Sequence, residues 1–191
     1  MLIPGVLPAA SMAASAHKTL TARKTPERIG KYLIINEVGR GSTGTVYLSH
    51  DPYYGRDVAI KVYTIDAGGD GERARIGRKM FLSEAHMVGM LQHPNILPLF
   101  DSGPAEGFLF YVMPTVEGET LRAKLDRETQ HGIDESVKLV SEVADALQYA
   151  HEHGVVHRDI KPENILLHDG RPMVADFGIA LAVSAAAGGR M

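Results

Sequence analysis

The stretch Val155-Val-His-Arg-Asp159-Ile-Lys161-Pro-Glu-Asn164-Ile-Leu-Leu167-His-Asp169-Gly170-Arg-Pro-Met173-Val-Ala175-Asp176-Phe177-Gly178 decides the fold. Two short apolar runs, Ile165-Leu-Leu167 and Met173-Val-Ala175, flank Asp169-Gly170. That dipeptide suits a tight hairpin turn, because both residues tolerate positive φ. In such a hairpin the start of the first strand lies beside the end of the second. Asn164 and Asp176 flank those two points, so an amide oxygen and a carboxylate twelve positions apart are expected to meet. Two hard oxygen donors beside phosphates suit Mg²⁺. Asp159 stands five positions before Asn164 and is placed to accept a proton from an incoming hydroxyl. Lys161 is placed to steady a transferring phosphoryl group. The competing description is a set of solvated loop charges, with Asp176 a mere turn former. It leaves the joining of two motifs by one hairpin unexplained.

Working outward, Gly39-x-Gly41-x-x-Gly44 stands between Tyr32-Leu-Ile-Ile35 and Thr45-Val-Tyr-Leu48. A dinucleotide fold would lead from such glycines into a helix. The β-branched and aromatic residues after Gly44 favour a strand instead. A glycine loop between antiparallel strands is a flap whose backbone can approach phosphates closely. These residues alone leave a phosphate flap and a plain flexible hairpin equally open. Lys61 lies inside a third strand, Asp57–Tyr63, on the same side as Ala59 and Tyr63. A solvated lysine is the ordinary outcome there. Glu84 changes that expectation, because it falls among Met80, Met87 and Val88 on the apolar stripe of a helix read over 72–91. A carboxylate in such a stripe calls for a cation, and Lys61 is the candidate partner. The alternative is a surface glutamate.

The remaining chain is read more coarsely. Residues 96–100 and 108–113 read as strands, and 114–119 as a connector. A second helix is expected over 134–153, with Val140, Val143, Ala144, Leu147 and Ala150 as its apolar stripe and Gly154 as its stop. Val155-Val156 reads as a further short strand. Residues 1 to 29 are rich in Ala, Ser, Thr and Pro without periodicity and read as a disordered leader. A cleaved signal peptide fits less well, since no positive charge precedes its apolar part. No apolar run reaches the eighteen or so residues a membrane helix needs. The net charge of −3 argues against a general nucleic-acid binder. With no cysteine, disulfides, a cysteine nucleophile and thiolate zinc sites are excluded, and a reducing compartment is consistent. His151 and His153 with His157 could suggest a metal set, but the first two sit at a helix end without a carboxylate companion, which favours solvated histidines. Arg73, Arg75, Arg78 and Lys79 read as a solvated helix face.

Taken together, these motifs resemble a protein kinase of the Ser/Thr type, similar to the eukaryotic-like kinases of bacteria. Gly39 to Val46 resembles the glycine-rich loop, and Ala59-Ile60-Lys61 the strand lysine. Glu84 falls where the helix partner of that lysine belongs. His157-Arg158-Asp159 with Asn164 resembles the catalytic loop, and Asp176-Phe177-Gly178 the metal-binding triplet. The resemblance implies an α+β, two-lobed fold. Residues 30–113 would form a small antiparallel-sheet lobe with one helix that binds ATP. Residues 114–191 would form the hinge and a partial, helical C-terminal lobe ending in the activation segment. It implies Asp159 as catalytic base, with Lys161 and Asn164 beside it, and Asn164 plus Asp176 as Mg²⁺ ligands. Nucleotide contacts would come from Val38, Gly39, Arg40, Gly41, Ser42, Thr43, Gly44, Thr45 and Val46 of the loop. Ala59, Lys61, Glu84, Met113 and Val116 would complete them, with Pro114 to Val116 as the hinge. Lys161 two residues after Asp159 resembles the Ser/Thr subclass, and Arg158 resembles kinases controlled by phosphorylation of the activation loop.

The resemblance spans Tyr32 to Val183. The family's later parts, an Ala-Pro-Glu-like motif and several more helices, have no counterpart in these 191 residues, so an incomplete C-terminal lobe is expected. The expected activity is transfer of the γ-phosphoryl group of ATP to a protein hydroxyl, in the cytoplasm, with no nucleic-acid partner. The alternatives are an inert fragment that binds nucleotide or a partner, and a small-molecule kinase of related fold.

Overall fold

The computed structural model describes residues 6–7, 26–41, 44–64, 72–105, 108–128, 130 and 132–177. Ser42, Thr43 and Gly178 lie outside the described residues, as do most of the expected leader and everything after Phe177. In chain order the strands and helices are β1 (Val6–Leu7), β2 (Arg28–Ile29), β3 (Tyr32–Gly41), β4 (Gly44–Asp51), β5 (Arg56–Thr64) and α1 (Glu72–Gly89). Then come β6 (Asp101–Ala105), β7 (Phe108–Pro114), β8 (Val116–Glu117), β9 (Glu119–Thr120), α2 (Leu121–Arg127), α3 (Ile133–Glu152), β10 (Ile165–His168) and β11 (Arg171–Val174).

Six strands form one antiparallel sheet in the order β2-β3-β4-β5-β7-β6. Side chains alternate across it. One face carries Tyr47, Val58, Ile60, Val62, Phe110 and Val112, which form a core with Ile29 and Tyr32. The other carries Val46, Ala59, Tyr63, Leu109, Tyr111 and Met113 and joins the larger core. That core continues through Phe81, Ala85 and Val88 of α1, Val143, Ala146 and Ala150 of α3, and Ile165, Leu166 and Val174 of the β10–β11 hairpin.

The hairpin forms as the sequence predicts. Ile165 pairs with Val174 and His168 with Arg171, and both turn residues have positive φ, Asp169 at 48° and Gly170 at 75°. It is stitched to the segment after α1 by Val174 N–H donating to Asn95 O at 2.8 Å and Leu97 N–H donating to Val174 O at 2.9 Å. Gly154, at φ 76°, ends α3 as expected, with Val155 N–H returning to Ala150 O at 2.9 Å.

Several expectations are corrected. Residues 96–100 form no strand beyond an isolated bridge at Ile96, and the strand is β6, an edge strand holding Gly103 and Pro104. Val155-Val156 forms no strand. The connector carries β8 and β9, and Thr120 Oγ1 caps the unforeseen α2 by accepting from Ala123 N–H at 3.0 Å. On α3, Val140 and Ala144 face outward, and the buried line is Val143, Ala146 and Ala150. On α1 the buried line is Phe81, Ala85 and Val88, while Met80 is exposed.

Candidate active site

Gly39, Arg40 and Gly41 end β3, and Gly44, Thr45 and Val46 open β4 in antiparallel register with them. The Arg40 guanidinium is tied to Glu37 at 2.7 Å on this exposed hairpin. Gly44 is required for a packing reason. A Cβ there would come within 2.3 Å of the Val62 carbonyl oxygen, whereas at Gly41 the nearest atom would be 4.0 Å away. Val46, Ala59, Met113 and Val116 all belong to the core cluster beneath this hairpin, with Val38 partly buried against it. Leu166, fully buried, joins the same cluster and was not singled out from sequence. Its signal was available, since Leu166 is the central apolar residue of the run that follows Asn164.

Lys61 sits on the α1-facing side of the sheet, as alternation predicts, and is only 4% exposed. Its Nζ lies 2.7 Å from Asp176 Oδ2. The other Asp176 oxygen, Oδ1, accepts from the Tyr111 hydroxyl. The expected Lys61–Glu84 pair is therefore corrected. Glu84 Oε1 is held by Arg158 Nη1 at 2.5 Å, and Glu84 Oε2 is buried without a hydrogen-bond partner among the described residues. The cause is rotation of α1. With Phe81, Ala85 and Val88 inward, Glu84 stands at the border of the buried line, beside Arg158 and Phe177.

The catalytic-type loop is internally bonded. Asp159 Oδ2 accepts from Lys161 Nζ at 2.6 Å and from Asn164 Nδ2 at 3.1 Å, and the Asp159 carbonyl accepts from Asn164 Nδ2 at 2.8 Å. Burial raises the Asp159 carboxyl, but the Lys161 hydrogen bond and charge and the Asn164 amide outweigh it, so it sits below its usual 3.8. Asp159 is thus ionised at neutral pH, and its side chain is about half exposed. His157 is buried. Its Nε2 donates to Ala175 O at 2.8 Å and its Nδ1 accepts from Asp159 N–H at 3.2 Å. Those partners fit the neutral ring with its proton on Nε2. Burial holds its pKa below 6.5. Its ring packs on Phe177, with centroids 4.7 Å apart.

The hairpin register brings Asn164 opposite Ala175, whose N–H donates to Asn164 O at 2.9 Å, with Asp176 next in chain. Arg158 and Asp176 both adopt left-handed backbone, at φ 65° and 60°. Such conformations in non-glycine residues are costly and gather at functional sites. Among the described residues no three His, Cys, Asp or Glu side chains form a metal cluster. A divalent ion here would take Asp176 and the Asn164 amide oxygen, the latter left over because its nitrogen is committed to Asp159. That hard oxygen pair, completed by waters and phosphates, fits Mg²⁺. Tyr111 was not placed at the site from sequence, nor was Arg158 read as the partner of Glu84. The register that sets Tyr111 opposite Lys61 is visible only once β5 and β7 are paired.

Comparison with known proteins places the chain in a family. A family model described as a protein kinase domain matches residues 32–188. The serine/threonine-protein kinase PrkC of Bacillus subtilis (strain 168) is 38% identical over 156 residues, covering 81% of this chain and 24% of that protein. The serine/threonine-protein kinase PknF of Mycobacterium tuberculosis (strain ATCC 25618 / H37Rv) is 39% identical over 157 residues, covering 78% of this chain and 32% of that protein. The crystal structure of the M. tuberculosis PknI kinase domain superimposes with a TM-score of 0.70 at 32% identity, covering 85% of this chain and 66% of that one. The chain thus spans a quarter to a third of the length of these curated relatives. Among the described residues no helix is long and apolar enough to cross a membrane.

Proposed function

This chain belongs to the protein kinase family, and from that premise we propose that it transfers the γ-phosphoryl group of ATP to Ser or Thr hydroxyls of protein substrates. The observation that carries the reading is the β10–β11 register, which sets Asn164 beside Ala175-Asp176 while the Asn164 amide grips Asp159. One hairpin thereby links the acceptor side of the reaction to the metal side. In this reading Asp159, ionised and accessible, takes the proton of the attacking hydroxyl, whose oxygen bonds to the γ-phosphorus as the bond to the ADP oxygen breaks. Lys161 offsets charge on the transferring group. Asn164 and Asp176 would hold Mg²⁺, which would supply neutralisation of the phosphate charge. Lys61 binds the α- and β-phosphates, and the loop Val38–Val46, including Ser42 and Thr43, covers them. Ala59, Met113 and Val116 wall the adenine, and Glu84 supports Lys61 after leaving Arg158.

Residues 30–113 and 114–191 are proposed as the ATP-binding lobe and the hinge with a partial C-terminal lobe. The need for ATP and the lack of cysteine support a cytoplasmic site of action. The test is incorporation of label from γ-labelled ATP by purified chain, with and without a Ser/Thr-containing protein acceptor. Asp159→Asn is expected to abolish incorporation and to leave nucleotide affinity within about twofold. Equal incorporation by Asp159→Asn would overturn the assignment of the base. A second reading, nucleotide binding without transfer, is favoured by one observation: Lys61 is held by Asp176 and Glu84 by Arg158. Nucleotide binding with no incorporation would select it.

A further inference from the structure

The Asp176 carboxylate is enclosed by two donors from the sheet. Lys61 of β5 takes one oxygen, and the Tyr111 hydroxyl, directly across the ladder on β7, takes the other. Both donors are buried, and the Tyr63 ring packs beside Tyr111 with centroids 5.7 Å apart. A small cavity lined by Val88, Leu99, Tyr111, Met113, Asp176 and Phe177 adjoins the contact, so the carboxylate reaches into the crevice behind Met113. A carboxylate with a donor on each oxygen has surrendered part of its electron density and two of its roughly four lone-pair directions. A divalent ion must then compete with a neutral hydroxyl as well as with the lysine. Resting on the proposed phosphotransfer reading, we infer that Tyr111 is a positioning residue that restrains Asp176 against metal binding. Lys61 remains a phosphate ligand in either state. The Tyr111 hydroxyl also meets the Tyr63 hydroxyl, and removing it costs the sheet little shape.

Tyr111→Phe deletes the donor and keeps the ring. The experiment titrates a fluorescent ADP analogue into the full chain, once with Mg²⁺ and once with EDTA. The readout is the dissociation constant in EDTA divided by that in Mg²⁺, which isolates the metal's contribution. Tyr111→Phe is expected to raise that ratio about tenfold over the wild type, the size of one charge-assisted hydrogen bond, while the EDTA value stays within about twofold. Tyr32→Phe, which removes a buried hydroxyl bonded to Asp101 on the opposite face of the sheet and leaves the donor to Asp176 in place, is expected to change neither value by more than about twofold. An unchanged or smaller ratio in Tyr111→Phe overturns the inference, as does an equal rise in Tyr32→Phe, which would reflect general loosening. If no protein binds the analogue under either condition, the phosphotransfer reading fails and the inference falls with it. That outcome differs from wild-type binding with an unresponsive Tyr111→Phe, which removes the inference alone.

Discussion

Glu84 and Arg158, 74 positions apart in the chain, form an ion pair at 2.5 Å that joins α1 to the loop preceding Asp159. The Arg158 side chain is 46% exposed, so solvent screens the attraction. A double-mutant cycle of Glu84→Gln and Arg158→Gln is expected to give a coupling of about 1 kcal/mol or less in urea denaturation. A coupling several times larger would mean that this pair anchors α1 instead of resting there.

The Lys61–Asp176 pair behaves differently, because the two side chains are only 5% and 10% exposed. Lys61→Met leaves a buried carboxylate with the Tyr111 hydroxyl alone. It is expected to destabilise by about 3 kcal/mol or more. The double variant with Asp176→Asn is expected to recover part of that loss, since no unpaired charge remains. Chemical denaturation of the three proteins checks both statements.

His157 gives a pH dependence whose sign follows from burial. Its folded pKa lies below 6.5, so on acidification the unfolded chain takes up the proton first. The contribution is fully present above pH 6.5 and is lost as pH falls through the lower folded value. The unfolding free energy is expected to drop below pH 6.5 with a slope of at most about 1.4 kcal/mol per pH unit from this group. His157→Gln is expected to flatten that limb. An equally steep limb in the variant would assign it elsewhere.

Gly44 and Gly41 are expected to differ sharply. Gly44→Ala drives a methyl group into the Val62 carbonyl and costs about 2 kcal/mol in thermal or urea unfolding. Gly41→Ala makes no contact closer than 4.0 Å among the described residues and stays within about 0.5 kcal/mol. Equal losses would show that the hairpin relaxes around both.

The β10–β11 hairpin and the orientation of Lys61 were legible in the sequence because each depends on short-range rules, the Asp169-Gly170 turn and strand alternation. The partner of Glu84 was not. Met80, Met87 and Val88 marked a stripe, but a helix turns by roughly 100° per residue, and the side that packs is chosen by Phe81 and Ala85 meeting the sheet. β6 was misplaced because its Gly103 and Pro104 suit only an edge strand, a position composition does not reveal. α2 fully buries no residue and offers only Leu121 and Leu125 at one i,i+4 step, so its clearest local signal is the Thr120 cap. Tyr111 became visible as a site residue only through cross-strand register.

The stitching of Asn95 and Leu97 to Val174 fixes the exit of α1 to the same hairpin that carries Asn164 and Asp176. Glu84 lies eleven residues upstream of Asn95. Any travel of its carboxylate from Arg158 to Lys61 is therefore a swivel about an anchored end, like a door on its post. The post and the hairpin that carries Asn164 are one piece, so the door can swing without disturbing the frame that lines up Asp159 and Asn164.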